Sequence, residues 1–281
     1  MTLSKKILSV FLISRPINFF LTFFSVVVSS LICLEAKQNV GIIILASFSA
    51  AFAASAGNIV NDIIDIEIDK LNRPERILPS GILSTKEALI LYIFSLCISV
   101  LFSMFINFEA ITIAVCANLL LYFYSKKLKS VLLLGNIIVA SMTGLTFIYG
   151  GVAVNNVKYS FIPALFAFLI NFIREIVKDM QDIKGDSRYG IYTFPQRFGF
   201  NSSKNLIFFS TVILIVATFF PFLMNYYGVD YFYVILFVVD PVMLFILVSL
   251  FKNQSDKNLN RVSFLLKLNM IFGLVAIYLG K

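Results

Sequence analysis

Long apolar runs alternate with short polar segments along the whole 281-residue chain. Nine of these runs approach the roughly 20 apolar residues that an α-helix needs to cross the hydrocarbon core of a membrane. The predicted spans lie near residues 16–34, 41–61, 87–107, 110–125, 132–154, 159–178, 205–226, 231–251 and 262–280. The pattern therefore predicts an all-α, polytopic membrane protein with nine transmembrane helices.

The composition of the chain supports the same class. Hydrophobic residues make up 59% of the sequence and charged residues only 14%, whereas a soluble domain carries about 25% charged residues. The first apolar run lacks a small-residue cleavage site, so we interpret it as a retained span and not as a signal peptide. The chain has no histidine, which excludes His-based catalysis and His-ligated zinc or haem.

The 23 Lys and Arg residues are distributed unevenly between the loops. Twenty of them lie before the first span or between spans two and three, four and five, six and seven, and eight and nine, counting those at the ends of these spans. Only Lys37, Lys158 and Lys281 lie elsewhere. Because cytoplasmic loops are enriched in Lys and Arg, we predict a cell-membrane protein with a cytoplasmic N-terminus and a C-terminus on the opposite side. The net charge of +8 then reflects topology and contact with membrane lipid, not nucleic-acid binding.

Two acidic segments close the second and sixth predicted spans with the same spacing, D-x-x-D-x-x-x-D. The acids are Asp62, Asp65 and Asp69 in NDIIDIEID, and Asp179, Asp182 and Asp186 in KDMQDIKGD. Positions i, i+3 and i+7 share one face of an α-helix, so each triplet can point in one direction. Both segments lie on the predicted cytoplasmic side of the membrane.

Grouped carboxylates repel one another unless a cation lies between them. Oxygen ligands without His or Cys select hard divalent ions, of which Mg²⁺ is the expected choice in the cytoplasm. A solvated helix end would explain one such segment, but two segments with identical spacing favour a metal site. The predicted Mg²⁺ ligands are Asn61, Asp62, Asp65, Asp69, Asp179, Asp182 and Asp186.

Basic residues lie close to both acidic segments in the sequence. Arg offers a planar pair of donors to phosphate oxygens, and Lys offers a point charge. Any single basic residue is more often a topology signal or a side chain that extends to the membrane surface than a ligand contact. Arg174 and Lys178 differ, because their i, i+4 spacing leads directly into the second acidic face. Acids, a divalent cation and basic side chains beside apolar spans together favour a lipid diphosphate as the ligand.

The segments NDIIDIEIDKLNRPERILPSG and REIVKDMQDIKGD resemble the UbiA superfamily of intramembrane prenyltransferases. The resemblance covers nearly the whole chain and includes SRPIN in the first span, Tyr and Lys after the fourth span, and TFPQRFG after the second acidic segment. It implies nine helices around a central cavity, with both motifs holding Mg²⁺ against a prenyl diphosphate. Ile77 departs from the family pattern R-P-L-P-S-G, which should change the stiffness of the loop and not the chemistry.

The resemblance also implies roles for individual residues. The expected substrate-binding residues are Arg15, Asn18, Asn58, Arg73, Arg76, Tyr124, Lys126, Arg174 and Lys178. The expected catalytic residues are Asp65, Asp69, Asp182, Asp186 and Lys126. We interpret residues 1–281 as one domain with two four-helix halves, about 1–125 and 126–251, and a ninth helix.

Within the superfamily, the loop after the first motif and the second motif most resemble geranylgeranylglyceryl-phosphate geranylgeranyltransferases. This implies transfer of a prenyl group, expected to be geranylgeranyl, from its diphosphate to geranylgeranylglyceryl phosphate, with no obligate protein partner. An aromatic quinone precursor or a chlorophyll-type tetrapyrrole remains an alternative acceptor. An ion-coupled transporter is the alternative from another class, although transporters more often place such acids near the middle of the membrane.

Overall fold

The computed structural model describes residues 3–34, 40–188 and 192–281. These residues form helices joined by turns, without a β-strand. In chain order the α-helices are α1 (Leu3–Ile13), α2 (Pro16–Cys33), α3 (Val40–Ile64), α4 (Ile66–Asn72), α5 (Thr85–Ser103), α6 (Phe108–Lys126), α7 (Leu134–Ala153), α8 (Phe161–Arg188), α9 (Phe194–Leu223), α10 (Val229–Val234), α11 (Asp240–Lys252) and α12 (Asp256–Leu279). A π-helical turn, Ile235–Val239, joins α10 to α11.

Nine helical segments within the described part of the chain are long and apolar enough to cross a membrane. They are Pro16–Cys33, Val40–Ile64, Thr85–Ser103, Phe108–Lys126, Leu134–Ala153, Lys158–Ile183, Phe194–Leu223, Val229–Lys252 and Asp256–Leu279. Each overlaps one predicted span, which confirms the prediction of an all-α, multi-pass membrane protein.

Helix α9 begins at Phe194 and not near residue 205 as predicted, because the polar segment before the apolar run is itself helical. The Gln196 side chain accepts a hydrogen bond from the Thr193 backbone N–H at 3.3 Å, and Pro195 lies in the first turn, where its missing N–H is not needed. Gly199 interrupts the helix with φ 78° and ψ 172°, a conformation that is essentially restricted to glycine.

The chain divides into two compact units. Unit one contains the described residues up to Lys129 together with Tyr149–Val157, and unit two contains Ser130–Ile148 and the described residues from Lys158 onwards. The first acidic motif lies in unit one and the second in unit two. The division into two four-helix halves with a ninth helix, and the central cavity, stay predictions.

In unit one, α3 packs against α2, α5 and α6. The side chains that α3 buries are mostly small, among them Ala46, Ser49 and Ala56, and small residues let helix backbones approach closely. The Ser49 hydroxyl donates to the Ser99 carbonyl oxygen at 2.8 Å. This packing fixes the helix whose end carries the first acidic motif.

In unit two, one face of α8 is packed into an apolar core. Ile173, Ile176 and Val177 of this face are fully buried and lie in a cluster with side chains of α9, α11 and α12. At about 100° per residue, Asp179 and Asp182 lie on the opposite side of the helix. The core therefore fixes the direction in which the acidic face of α8 points.

Candidate active site

The first acidic motif spans two helices, α3 and α4, which meet at Asp65. Helix α3 ends just before Asp65, which has φ −89° and ψ 9°, and α4 begins just after it. Backbone hydrogen bonds still run through the break, from Asp65 N–H to Asn61 O at 2.9 Å and from Asp69 N–H to Asp65 O at 2.7 Å. The side chains of Asp62, Asp65 and Asp69 are only 11%, 14% and 8% exposed, so the three acids remain on the protein-facing side.

Two arginines of unit one bind the carboxylates of Asp62 and Asp69. Arg15 donates to Asp62 Oδ1. Arg76 Nη1 donates to Asp69 Oδ2 at 2.5 Å and lies 3.4 Å from Asp62 Oδ1. Both arginines were predicted to bind substrate, and the structure places both at the first motif.

The position of Arg15 depends on an unusual backbone conformation. Arg15 precedes Pro16, the first residue of α2, and has φ 52° and ψ 75°. A left-handed conformation costs a residue other than glycine about 1–2 kcal/mol. Such strain persists only where the surrounding contacts compensate for it, and the ion pair with Asp62 is one of these contacts.

Arg76 lies in the loop that follows α4, and this loop is anchored by apolar packing. Leu78 is buried and lies in a cluster with Ile13 of α1 and Ile59 of α3. Ile77, the departure from the family pattern, packs against the same cluster. The packing of the loop therefore holds Arg76 at the acidic motif.

A lysine that the sequence analysis did not select binds the third acid. Lys129 donates to Asp65 Oδ1, and its side chain is 15% exposed. Lys126, the predicted catalytic lysine, is exposed and lies 5.8 Å from the centre of the Tyr122 ring. The structure therefore brings Lys129, three residues further along, to the motif, and the catalytic role of Lys126 stays a prediction.

Burial sets the electrostatics of the Asp69–Arg76 pair. Desolvation raises the pKa of the Asp69 carboxyl above its ordinary value, and the charge of Arg76 opposes this shift. Desolvation likewise lowers the pKa of the Arg76 guanidinium, and the nearby charge of Arg15 adds to that effect. Each ionised group therefore depends on an opposite charge beside it.

The first motif also contains a buried acceptor without a donor. Asn61 Oδ1 is buried and has no hydrogen-bond partner, which is costly for an amide oxygen. Amide and carboxylate oxygens together are a donor set that suits a hard divalent ion. The side chains present therefore fit Mg²⁺ in their chemistry.

The described carboxylates of the first motif pair with cations and do not surround one metal position. Among the side chains that the structure describes, no group of three or more His, Cys, Asp or Glu residues is close enough to hold one metal ion. Asp62, Asp65 and Asp69 instead contact Arg and Lys side chains. A divalent ion and these cations therefore compete for the same oxygens.

The second acidic motif lies on the unbroken helix α8. Asp179 Oδ2 accepts a hydrogen bond from Asn136 Nδ2 at 2.8 Å, and Asp182 is partly exposed. The Asp186 side chain lies outside the described side chains, so its role stays a prediction. Asn136 was not among the predicted site residues, although an asparagine inside the apolar run of α7 was a visible signal.

The two predicted substrate-binding cations of α8 share a carboxylate on the same helix. Glu175 Oε1 accepts from Arg174 Nη1 at 3.1 Å, and Glu175 Oε2 accepts from Lys178 Nζ at 2.8 Å. Glu175 is 4% exposed. Glu175 was not among the predicted site residues, although its position four residues before Asp179 continues the acidic face.

The other predicted substrate-binding residues are partly buried in unit one: Asn18, Asn58, Arg73 and Tyr124. The Asn18 backbone N–H donates to Arg15 O at 2.8 Å, and the Arg73 backbone N–H donates to Asp69 O at 2.8 Å. Arg73 therefore directly adjoins the first motif, and Asn18 adjoins Arg15, whose side chain contacts that motif. The substrate contacts of all four stay predictions.

Comparison with known proteins identifies a family for the chain. Residues 22–271 match the model of the UbiA prenyltransferase family. The chain is 37% identical over 269 residues to a digeranylgeranylglyceryl phosphate synthase of Thermococcus sibiricus, with 96% of this chain and 95% of that protein covered. It is 33% identical over 242 residues to a protein of the same name from Saccharolobus solfataricus, with 85% and 84% covered.

Solved structures share the fold. One, from work on digeranylgeranylglyceryl phosphate synthase in membranes, has a TM-score of 0.76 and 32% identity, and the match covers 98% of both chains. A UbiA homolog from Archaeoglobus fulgidus bound to DMAPP and Mg²⁺ has a TM-score of 0.65 and 17% identity, covering 96% of this chain and 99% of that one. These matches favour an enzyme over the transporter alternative. This multi-pass membrane protein belongs to the UbiA prenyltransferase family and is an intramembrane prenyltransferase.

Proposed function

We propose that the protein transfers a geranylgeranyl group from geranylgeranyl diphosphate to geranylgeranylglyceryl phosphate, which forms a diether lipid precursor and releases diphosphate. Relatives named digeranylgeranylglyceryl phosphate synthase that match nearly the whole chain support this acceptor. The observation that carries the chemistry is the group of buried carboxylates and cations at the end of α3, beside an apolar span. Such a group suits a lipid that has a diphosphate head and an apolar tail.

The basic side chains would bind the diphosphate. Arg76, Arg15 and Lys129 already lie at the first motif, and arginine and lysine donors form strong hydrogen bonds to phosphate oxygens. On α8, Arg174 and Lys178 would serve the same purpose. We place Lys129 ahead of Lys126 in this role because Lys129 reaches the motif.

The acidic motifs would hold Mg²⁺ through Asn61, Asp62, Asp65 and Asp69 in unit one and through Asp179, Asp182 and Asp186 in unit two. When bound, Mg²⁺ would neutralise the negative charge that develops on the diphosphate as it leaves. UbiA homologs that share only the fold bind DMAPP or GPP together with Mg²⁺, which supports this assignment. The buried Asn61 Oδ1, an acceptor without a donor, supports it from the structure itself.

The rest of the reaction depends on exclusion of water and on positioning. Cleavage of the allylic C–O bond leaves a carbocation that water would consume, so the reacting carbon needs a dry site. The apolar spans supply such surroundings. A glycerol hydroxyl held close to that carbon would form the new ether bond and lose its proton, and positioning contributes more than strong base catalysis.

We also infer the orientation of the protein in the membrane. The uneven distribution of Lys and Arg supports a cytoplasmic N-terminus, cytoplasmic acidic motifs and a C-terminus on the opposite side. A protease-protection assay of vesicles with a tag at either end would test this orientation.

The test of the proposed function uses the purified protein in detergent with Mg²⁺, radiolabelled geranylgeranyl diphosphate and geranylgeranylglyceryl phosphate. A labelled diether that disappears on addition of EDTA is the expected product. Binding of the diphosphate without a diether would reject this acceptor and direct the assay to aromatic or tetrapyrrole acceptors.

A further inference from the structure

Glu175 extends the acidic face of α8 by one turn. Glu175, Asp179 and Asp182 have the spacing i, i+4 and i+7, so they lie on one side of the helix. Four residues along an α-helix correspond to about 6 Å. Glu175 therefore lies about 6 Å further than Asp179 from the C-terminal end of α8. At the matching position of the first motif, four residues before Asp62, the chain has the neutral Asn58.

The carboxylate of Glu175 is buried together with two cations. Its oxygens lie 3.1 Å from Arg174 Nη1 and 2.8 and 2.9 Å from Lys178 Nζ. Glu175 is 4% exposed, and the side chains of Arg174 and Lys178 are 13% and 22% exposed. The three groups therefore form a compact ionic cluster inside a membrane-spanning helix.

Burial of an unpaired charge costs several kcal/mol, so buried cations need an anion beside them. A charged residue inside a membrane span is a candidate functional residue for the same reason. An arginine has five N–H donors and a lysine has three, so contact with Glu175 does not exhaust the donors of Arg174 and Lys178.

The backbone beneath the cluster is held in place. Ile176 and Val177, the next two residues of α8, are fully buried in the core of unit two. Because this part of α8 is held by its packing, the backbone position of Glu175 is fixed. Two long side chains that contact its carboxylate give up most of their rotamer freedom before any ligand arrives, which lowers the entropy cost of binding.

We propose that Glu175 is a positioning residue, which holds Arg174 and Lys178 in the arrangement that binds the diphosphate of the prenyl substrate. This inference rests on the proposed function, because it requires a prenyl diphosphate as the ligand. Glu175 itself contacts the two cations and not the diphosphate.

The test measures the Kd of geranylgeranyl diphosphate in the presence of Mg²⁺ for the wild type, Glu175→Gln, Glu175→Asp, Lys178→Met and the double variant Glu175→Gln/Lys178→Met. Glu175→Gln should weaken binding about 10- to 100-fold, as loss of a residue that orients a ligand commonly does. Glu175→Asp, which keeps the charge, should recover part of this loss. Glu109→Gln, at an exposed glutamate in the first turn of α6, is the matched control and should bind as the wild type does.

Two further measurements separate positioning from a purely structural role. If Glu175 acts through Lys178, its substitution should weaken binding much less in the Lys178→Met background than in the wild type. The KM for geranylgeranyl diphosphate should rise in Glu175→Gln, while the KM for the acceptor stays within about twofold.

Each other result has a definite meaning. Equal or tighter binding by Glu175→Gln would overturn the inference, because Glu175 would then compete with the diphosphate for the cations. Fully additive effects in the double variant would overturn it as well. If Glu175→Gln does not fold, Glu175→Asp serves as the test, because its shorter side chain draws the carboxylate away from the two cations. A Kd equal to that of the wild type in Glu175→Asp would then overturn the inference. Absence of binding by the wild type would instead reject the proposed function.

Discussion

The two acidic motifs have the same spacing, but their surroundings differ in where the positive charges come from. At the first motif, the partners of the carboxylates are Arg15, Arg76 and Lys129, from three separate segments of unit one. One turn before the second motif, Arg174 and Lys178 of α8 itself are paired with Glu175. Equal spacing of acids therefore does not imply equal electrostatics.

This difference has a physical consequence for binding. A divalent ion at the first motif competes with cations that the rest of unit one presents to the same oxygens. The same cations can bind a diphosphate, and cations that move to the diphosphate release the carboxylate oxygens for the divalent ion. Binding of a divalent ion and binding of a diphosphate should therefore strengthen each other at the first motif. At the second motif, Glu175 already holds Arg174 and Lys178, so that coupling should be weaker.

The largest expected effect comes from removal of one acid of either motif. Asp65→Ala and Asp182→Ala should each reduce the rate of prenyl transfer by at least about 10³-fold. Each variant removes a proposed ligand of Mg²⁺, which would neutralise the charge that develops on the leaving diphosphate. Steady-state turnover, with the melting temperature as a check of folding, measures this. Turnover that survives in either folded variant would contradict the role of that motif.

A pair of lysine variants distinguishes the sequence-based choice from the structural one. Lys129→Met should lower kcat/KM for the prenyl diphosphate about 10- to 100-fold, because a buried charge-assisted contact is lost. Lys126→Met should change it by no more than about threefold, because the Lys126 side chain is exposed. Equal losses in the two variants would return Lys126 to the predicted catalytic role.

Arg76→Met should change two affinities in opposite directions. Without a diphosphate, Mn²⁺ should bind about 3- to 10-fold more tightly, because a cation that competes for Asp69 is gone. Geranylgeranyl diphosphate should bind about tenfold more weakly, because it loses a donor. Electron paramagnetic resonance measures the affinity for Mn²⁺, and calorimetry measures the affinity for geranylgeranyl diphosphate. A loss of both affinities would show that Arg76 only maintains the fold.

The smallest effect concerns the segment that follows the second motif. Gly199→Ala should destabilise the protein by about 1–3 kcal/mol, because its φ of 78° suits glycine, while no atom lies within 4 Å of the added methyl group. Gly273→Ala, in α12 and with the same open space, is the control and should be neutral or slightly stabilising. Thermal unfolding in detergent compares them, and equal melting temperatures would show that the backbone relaxes at residue 199.

The spans were predictable because membrane insertion depends on the length and apolarity of a segment, both of which are local properties of the sequence. The polar segment from Thr193 to Gly199 was not recognised as the beginning of α9, since capping and a glycine break, rather than apolarity, define it. The break at Asp65 was missed for a similar reason. Spacing alone does not reveal a change in helix direction when the backbone hydrogen bonds continue.

The partners of the acids were less predictable. Arg15 and Arg76 were selected because they lie beside conspicuous motifs, and the structure brings both to the first motif. Lys129 was not predicted, because a sequence does not show which lysine of a short loop points inwards, and the catalytic role of Lys126 stays a prediction. Asn136 and Glu175 were missed although both are polar residues within apolar runs.

The sequence by itself determined the class of the protein, its nine apolar spans and the two acidic motifs of equal spacing, because hydrophobicity, charge and short-range spacing are carried by neighbouring residues. Only the tertiary structure decided which cation meets which carboxylate. Asp62 and Arg15 are 47 residues apart and Asp65 and Lys129 are 64 apart, and such pairs form only when packing of the helices brings their ends together. Buried ion pairs depend on distance and on exclusion of water, and neither is fixed until the chain has folded.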